Sequence, residues 1–285
     1  MTATPIDHFP TMTVGFLTQH GKESLLASIL GEGLGAQLYR VEGFDTDQLG
    51  TFTRERPRAG TQVEAAARKA ELALELSDAQ WGLGSEGAFH LDPYLSLLPW
   101  NTEILVLIER RSGIRITALA HAKAQSVDIK VQSWEELMAA ANRAGFPQHH
   151  LILRKGGLEG PVLAKGVACE DGLRKVFQRA TMADDHISFG VENDLRAHAN
   201  PTRQTVIRQA AHDLVRRFQC RCPHCNAPGY GLLRAEPGAP CSSCGTPTRV
   251  PRAEVWSCPS CGHHGVKARP QPVEADPQRC DVCNP

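Results

Sequence analysis

Residues 220–285 read CRCPHCNAPGYGLLRAEPGAPCSSCGTPTRVPRAEVWSCPSCGHHGVKARPQPVEADPQRCDVCNP, and eight of their nine cysteines form the pairs Cys222/Cys225, Cys241/Cys244, Cys258/Cys261 and Cys280/Cys283. Two residues between thiols let one tight turn present both sulfurs to a tetrahedral ion. The spacers of 15 residues after Cys225 and 18 after Cys261 suit the returning hairpin of a zinc ribbon. Turn-forming residues follow the thiols at Gly245, Gly262 and Asn284. The simplest pairing joins the first two pairs around one ion and the last two around another; a cross-braced pairing uses the same residues.

Disulfides are the competing use of such pairs, and a cytosolic setting disfavours them. Each set offers four thiolates, so two structural Zn2+ ions are expected, with no open position for catalysis. Few large apolar side chains lie in this span, so metal binding would supply most of its folding energy. Cys169, Cys220, His224, His263 and His264 read as bystanders.

Working outward, residues 201–285 hold 11 Lys+Arg against 6 Asp+Glu, and residues 1–200 hold 20 against 25. A mildly basic tail could contact nucleic acid, although an excess this small does not require it. The whole chain has 285 residues, 41% hydrophobic and 22% charged, which suits an ordinary folded protein with a principal body and a smaller appended module. The longest apolar run, Ile104 to Ile108, is far short of the roughly 20 residues that span a bilayer, so no membrane span is expected. The opening MTATPIDHFP has neither a basic start nor an apolar centre, so it does not read as a signal peptide, and a cytoplasmic location is expected.

In residues 1–200, Val14 to Leu17 reads as a strand that ends at Thr18-Gln19-His20-Gly21-Lys22-Glu23. A helix follows, with Leu25, Leu26, Ile29 and Leu30 on its buried face and Gly31 and Gly33 to stop it. Residues 61–76 predict a helix capped by Thr61, with Glu64 at the capping-box position. Glu103 to Ile108 reads as a buried strand, Ser112-Gly113 as a turn and Ile114 to Ala118 as another strand. Helices at 133–144 and 170–180 complete an alternating pattern. The expected fold is an α/β body with a mixed sheet flanked by helices over 1–200, a linking helix over 201–219 opened by Asn200-Pro201, and a double zinc-ribbon module over 220–285.

The stretch Glu192 to Arg203 concentrates carboxylates, arginines and a histidine ahead of the linking helix. Arg196 and Arg203 could bind phosphate, and Asp194 or His198 could position water or a metal. Helix capping by Asn200 or Thr202, together with ion pairs, is the plainer use of the same residues.

Three short motifs in the body resemble the inosine triphosphate pyrophosphatase-like superfamily, which includes the Maf-type pyrophosphatases and the hydrolases of non-canonical purine nucleotides. A strand running into Thr18-x-His20-x-Lys22 is similar to that family's Thr-x-Asn-x-Lys signature, with histidine replacing asparagine. Glu55 ahead of Lys69-Ala70 resembles its acidic residue before a helix with a Lys-Ala step. Gly84-Ser85-Glu86-Gly87-Ala88 resembles a Gly-x-Glu-Gly-Gly turn found in one branch. The likeness covers about residues 12–120. The whole chain also looks like a bacterial domain-of-unknown-function family with this body and a cysteine-rich tail, which implies no activity.

The superfamily resemblance implies Mg2+-dependent hydrolysis of a nucleoside triphosphate to monophosphate and pyrophosphate. Lys22 would grip phosphate at a helix start, beside Thr18 and His20, and Glu55 and Glu86 would hold the metal, with Asp45 and Asp47 as further ligands. Asp194, Arg196 and His198 would close the site. Plainer uses exist for each group: a Gly-Lys turn is common at strand-to-helix junctions, glycines around Glu86 mark a tight turn, and the charges of DTDQLGTFTRERPR suit a salt-bridged loop. The expected function is binding, with or without hydrolysis, of a nucleotide or other phosphorylated small molecule. The alternative is a non-catalytic zinc-ribbon protein whose tail contacts nucleic acid or a protein partner.

Overall fold

The computed structural model of the chain describes residues 12–18, 21–45, 60–93, 95–269 and 273–285. β1 (Met12–Leu17) is buried along nearly its whole length because it lies in the middle of a sheet covered on both faces. The chain leaves it through α1 (Glu23–Leu34) to reach β2 (Ala36–Val41) on one side. It then returns through α2 (Gln62–Glu75) to β3 (Trp81–Leu91) on the other side, both neighbours being parallel to β1. β4 (Pro99–Glu109) and β5 (Arg115–Lys123) add antiparallel, so the sheet is mixed with the order β2-β1-β3-β4-β5.

α1 covers one face, where Val14, Phe16, Leu26, Leu30, Leu83, Leu105 and Leu107 form the largest core cluster. α2 covers the other face, where Ala66, Ala67 and Ala70 meet Ile104, Val106 and Ile108. The α2 cap has the expected form: the Thr61 hydroxyl accepts from the Glu64 N–H while the Glu64 carboxylate accepts from the Thr61 N–H at 2.7 Å.

Gly84-Ser85-Glu86-Gly87 is not a turn but the middle of β3, which is the first correction to the sequence reading. These glycines serve helix packing: a Cβ on Gly82 would lie 2.1 Å from the Ala70 carbonyl oxygen, and one on Gly84 would lie 1.8 Å from that of Ala66. α2 therefore rests directly on the β3 backbone.

A second, four-stranded antiparallel sheet follows within residues 128–193, with β6 (Asp128–Val131), β7 (Leu151–Lys155), β8 (Val162–Val167) and β9 (Phe189–Asn193) in the order β6-β9-β7-β8. α3 (Trp134–Arg143) and α4 (Glu170–Ala183) pack on it around Leu137, Leu151, Leu173 and Phe189. The residues before 200 thus carry two sheets, each with its own core.

α5 (Pro201–Gln219) begins with the Asn200 side chain accepting from the Arg203 N–H. It does more than connect, because Ile207, Ala210, Ala211 and Leu214 complete the core of the first sheet on the α1 side. The Asp213 carboxylate of this helix accepts the Leu119 N–H of β5 at 3.0 Å. The tail contains a three-stranded antiparallel sheet, β10 (Gly231–Pro237), β11 (Pro251–Ser257) and β12 (His264–Ala268), in that order. No helix among the described residues is long and apolar enough to cross a membrane.

Candidate functional site

β3 outruns β1: their pairing ends at Phe16↔Leu83, so Ser85, Glu86 and Gly87 extend past the carboxyl end of β1. Strand alternation places Ser85 and Gly87 on the α1 and α5 face and Glu86 on the α2 face. This is where the chain departs from β1 in opposite directions, the switch point at which open α/β sheets form ligand crevices.

Lys22 occupies the N-cap of α1, and its ammonium donates to Ser85 Oγ at 2.9 Å and lies 3.5 Å from Glu103 Oε2. Glu103, opposite Gly87 in the ladder, is fully buried and accepts from Arg203 Nε at 2.6 Å and Asn101 Nδ2 at 3.3 Å. Arg203, also fully buried, gives a second N–H to the Leu195 carbonyl at 2.6 Å. A Cβ on Gly87 would come within 2.3 Å of both Arg203 Nη2 and Glu103 Oε1, so glycine is what lets this pair lie against the strand. On the other face Glu86 meets Lys69 of α2 at 2.5 Å. Three cations and two carboxylates therefore converge around one end of the sheet.

Burial lowers the Lys22 ammonium to about 8, with Glu103 pulling the other way and Arg203 and Lys69 adding to the fall. For Glu103, burial raises the carboxyl, but the charges of Arg203 and Lys22 and the hydrogen bonds it accepts hold it below the usual carboxylate range.

Lys22 and Glu86 lie at the same end of the sheet but on opposite faces, Lys22 on Ser85 and Glu103 and Glu86 on Lys69, with Thr18 buried at the end of β1. Asp45 is exposed beyond β2, while His20, Asp47 and Glu55 lie outside the described residues. Asp194 and Arg196 follow β9 and bind each other, Nε to Oδ1 at 3.0 Å and Nη2 to Oδ2 at 2.5 Å. Burial raises the Asp194 carboxyl, and the Arg196 hydrogen bonds and charge more than reverse this. His198 sits exposed in the short turn Ala197–Ala199, its imidazole lowered by partial burial and by Arg196. These three form a separate group, joined to the Lys22 cluster through the Leu195 carbonyl on Arg203.

Sequence reasoning gave Glu103 and Asn101 no part in the site, quoted Ser85 and Lys69 only as motif positions, and grouped Arg203 with Arg196 as a phosphate ligand, whereas in the structure Arg203 pairs with Glu103. The legible signal was the charge on Glu103 at the head of five apolar residues, where a buried strand tolerates a carboxylate only with a partner.

In the tail, the thiols gather as Cys222, Cys225, Cys258 and Cys261 and as Cys241, Cys244, Cys280 and Cys283, with the sulfurs of each set within 4.8 Å of one another. First joins third and second joins fourth, so the simplest sequential pairing is corrected to a cross-braced one. Sulfurs about 2.3 Å from one tetrahedral ion lie about 3.8 Å apart. Here Cys222–Cys261 and Cys241–Cys283 are 3.8 Å apart and Cys225–Cys258 and Cys244–Cys280 are 3.6 Å apart. Both sets could therefore each hold a metal ion such as zinc.

The turns are built for sulfur: the N–H groups of His224, Ser243 and Ser260 donate to Cys222, Cys241 and Cys258 Sγ, each at 3.4 Å. Asn226, Gly245 and Gly262 take positive φ just after the second thiol of their pairs. In each set the first cysteine of every pair is buried and the second exposed.

Among known families, one described as a domain of unknown function (DUF6671) matches residues 69–285. No curated protein matches the chain.

Proposed function

The chain belongs to this domain-of-unknown-function family, whose matched span takes in Lys69, Glu86, Glu103, Arg203 and all eight paired cysteines, and we propose that its body binds a phosphorylated small molecule, a nucleotide or a related phosphate ester, at the end of β1. The observation that carries this reading is the convergence of Lys22, Lys69 and Arg203 at the switch point of the sheet. Phosphate would displace Glu103 or Glu86 as the partner of Lys22 or Lys69 and take up the free amides at the start of α1. Glu86, released from Lys69, offers the oxygen ligand that Mg2+ prefers, and a bound Mg2+ would neutralise phosphate charge and lower the barrier to hydrolysis by water. The motif resemblance to the pyrophosphatase-like superfamily agrees with this assignment. In the tail, the cross-braced thiols are read as a double zinc ribbon that folds the module.

The experiment is pyrophosphate or phosphate release from a nucleotide panel, with and without Mg2+, together with thermal shift by the same compounds. The reading expects a shift that Lys22→Met and Glu86→Gln diminish while two zinc ions remain bound. Neither release nor shift from any compound would sink it. A second reading, contact with nucleic acid through the tail, is favoured by Lys267, whose ammonium lies 3.5 Å over the Trp256 ring beside Tyr230. A salt-dependent gel shift by the full chain that Lys267→Glu abolishes would support it.

A further inference from the structure

The strand at the outer edge of the mixed sheet, β5, and the strand at the outer edge of the tail sheet, β10, line the same groove of about 390 Å³. One wall is Arg115, Ile116 and Thr117; the other is Gly231, Leu232 and Leu233, with Arg217 of α5 at the rim. The volume lies in the range of ligand-binding clefts.

Backbone geometry makes the β5 wall a hydrogen-bonding surface. The Leu119 N–H turns away from β4, since it donates to Asp213 of α5. Alternate residues of an antiparallel strand face the same way, so the N–H and C=O of Thr117 and of Arg115 also point away from β4. Among the described residues nothing accepts from the Thr117 N–H. An edge of this kind is a template for another extended chain.

The side chains specify which kind of chain. Arg115 spends one N–H on Glu71 at 3.0 Å and Arg217 one on Asp213 at 2.6 Å, each out of five donors. Leu232 and Leu233 are 52% and 54% exposed on the facing wall, an apolar surface left open to solvent. A hydrogen bond already made to this strand edge, Asp213 on Leu119, sets a carboxylate on an N–H beside arginine.

We propose that this groove receives an extended acidic peptide segment of a partner protein, which pairs its backbone with β5 at Thr117, sets carboxylates on Arg115 and Arg217, and lays an apolar side chain against Leu232 and Leu233. The backbone bonds supply affinity, and selection comes from one carboxylate on the α2 face for Arg115 and, on the α5 face, a second carboxylate for Arg217 beside an apolar side chain. The arginines steer the encounter, so binding weakens with salt.

The test exposes the full-length, zinc-loaded protein to an array of random ten-residue peptides and, separately, to a random single-stranded oligonucleotide. The bound peptides are expected to be enriched in Asp and Glu together with apolar residues. Arg115→Glu/Arg217→Glu should abolish that enrichment, and the milder Arg115→Ser/Arg217→Ser, which introduces no like charges beside Glu71 and Asp213, should weaken the best peptide by on the order of tenfold. N-methylation of the peptide backbone at alternate positions should abolish its binding. A bound set with no acidic enrichment, a set unchanged by the arginine variants, or N-methylated peptides that bind equally well would overturn the proposal. Binding of the oligonucleotide in place of peptides, lost in the same variants, would reassign the groove to nucleic acid.

Discussion

Burial strips the Lys22 ammonium of its water, and Glu103 restores only part of what is lost, so its proton is held less tightly in the folded chain than in the unfolded one. Between about pH 8, the folded value, and pH 10.5, the ordinary lysine value, the unfolded chain binds more protons. Stability from this group is therefore present above pH 10.5 and is lost as pH falls through about 8. Urea unfolding of wild type and Lys22→Met across this window should differ in slope, wild type gaining up to about 1.4 kcal/mol per pH unit that the variant lacks. Equal slopes would show that Lys22 titrates normally. Gly84 makes a sharper case: a methyl there meets the Ala66 carbonyl oxygen at 1.8 Å, and backbone cannot step aside as a flexible side chain can. Gly84→Ala should cost about 3 kcal/mol in the same assay, while Gly113→Ala, with open space around it, should cost less and only through its positive φ.

At the scale of elements, the tail turns make a prediction that separates cross-braced from sequential metal binding. Cys222→Ser/Cys258→Ser removes two ligands from one cross-braced set, and the chain should still bind one zinc ion. Cys222→Ser/Cys241→Ser strikes both sets and should bind none tightly. Sequential pairing reverses the two results, so metal counting by mass spectrometry under native conditions decides between them. The long helix α5 is the element that most exceeds its sequence reading: a linking helix over 201–219 was legible, but not that its Ile207, Ala210, Ala211 and Leu214 close the core of the first sheet.

Across the whole molecule, the first thiol set is fastened to the body. A Cβ on Gly229 would lie 2.9 Å from Ile116 of β5, Ala227 packs on the main core cluster, and the Gln219 side chain donates to the Gly33 carbonyl at 2.9 Å. Folding of the tail and stability of the body are thus coupled through β5 and α5. Chelation of the metal should unfold the tail, lower the thermal midpoint of the body and increase hydrogen exchange along α5, whereas a body transition unmoved by chelator would show the two to be independent.

Local chemistry was readable from the chain alone: Thr61 and Glu64 as a cap, the thiol pairs as groups able to hold a metal, the apolar stripes as helices, and Lys22 at a strand-to-helix junction. Each depends on residues a few positions apart. Tertiary structure alone decided the rest. Which thiol pairs share an ion depends on how the hairpins cross, and Glu103 meets Arg203 across 100 residues because α5 packs on the face of the sheet toward which Glu103 of β4 points. The glycines of β3 were misread as a turn because permissive backbone and close approach by a neighbouring helix call for the same residue, and only the position of α2 distinguishes them. Periodicity encodes which face is buried; it does not encode what that face is buried against.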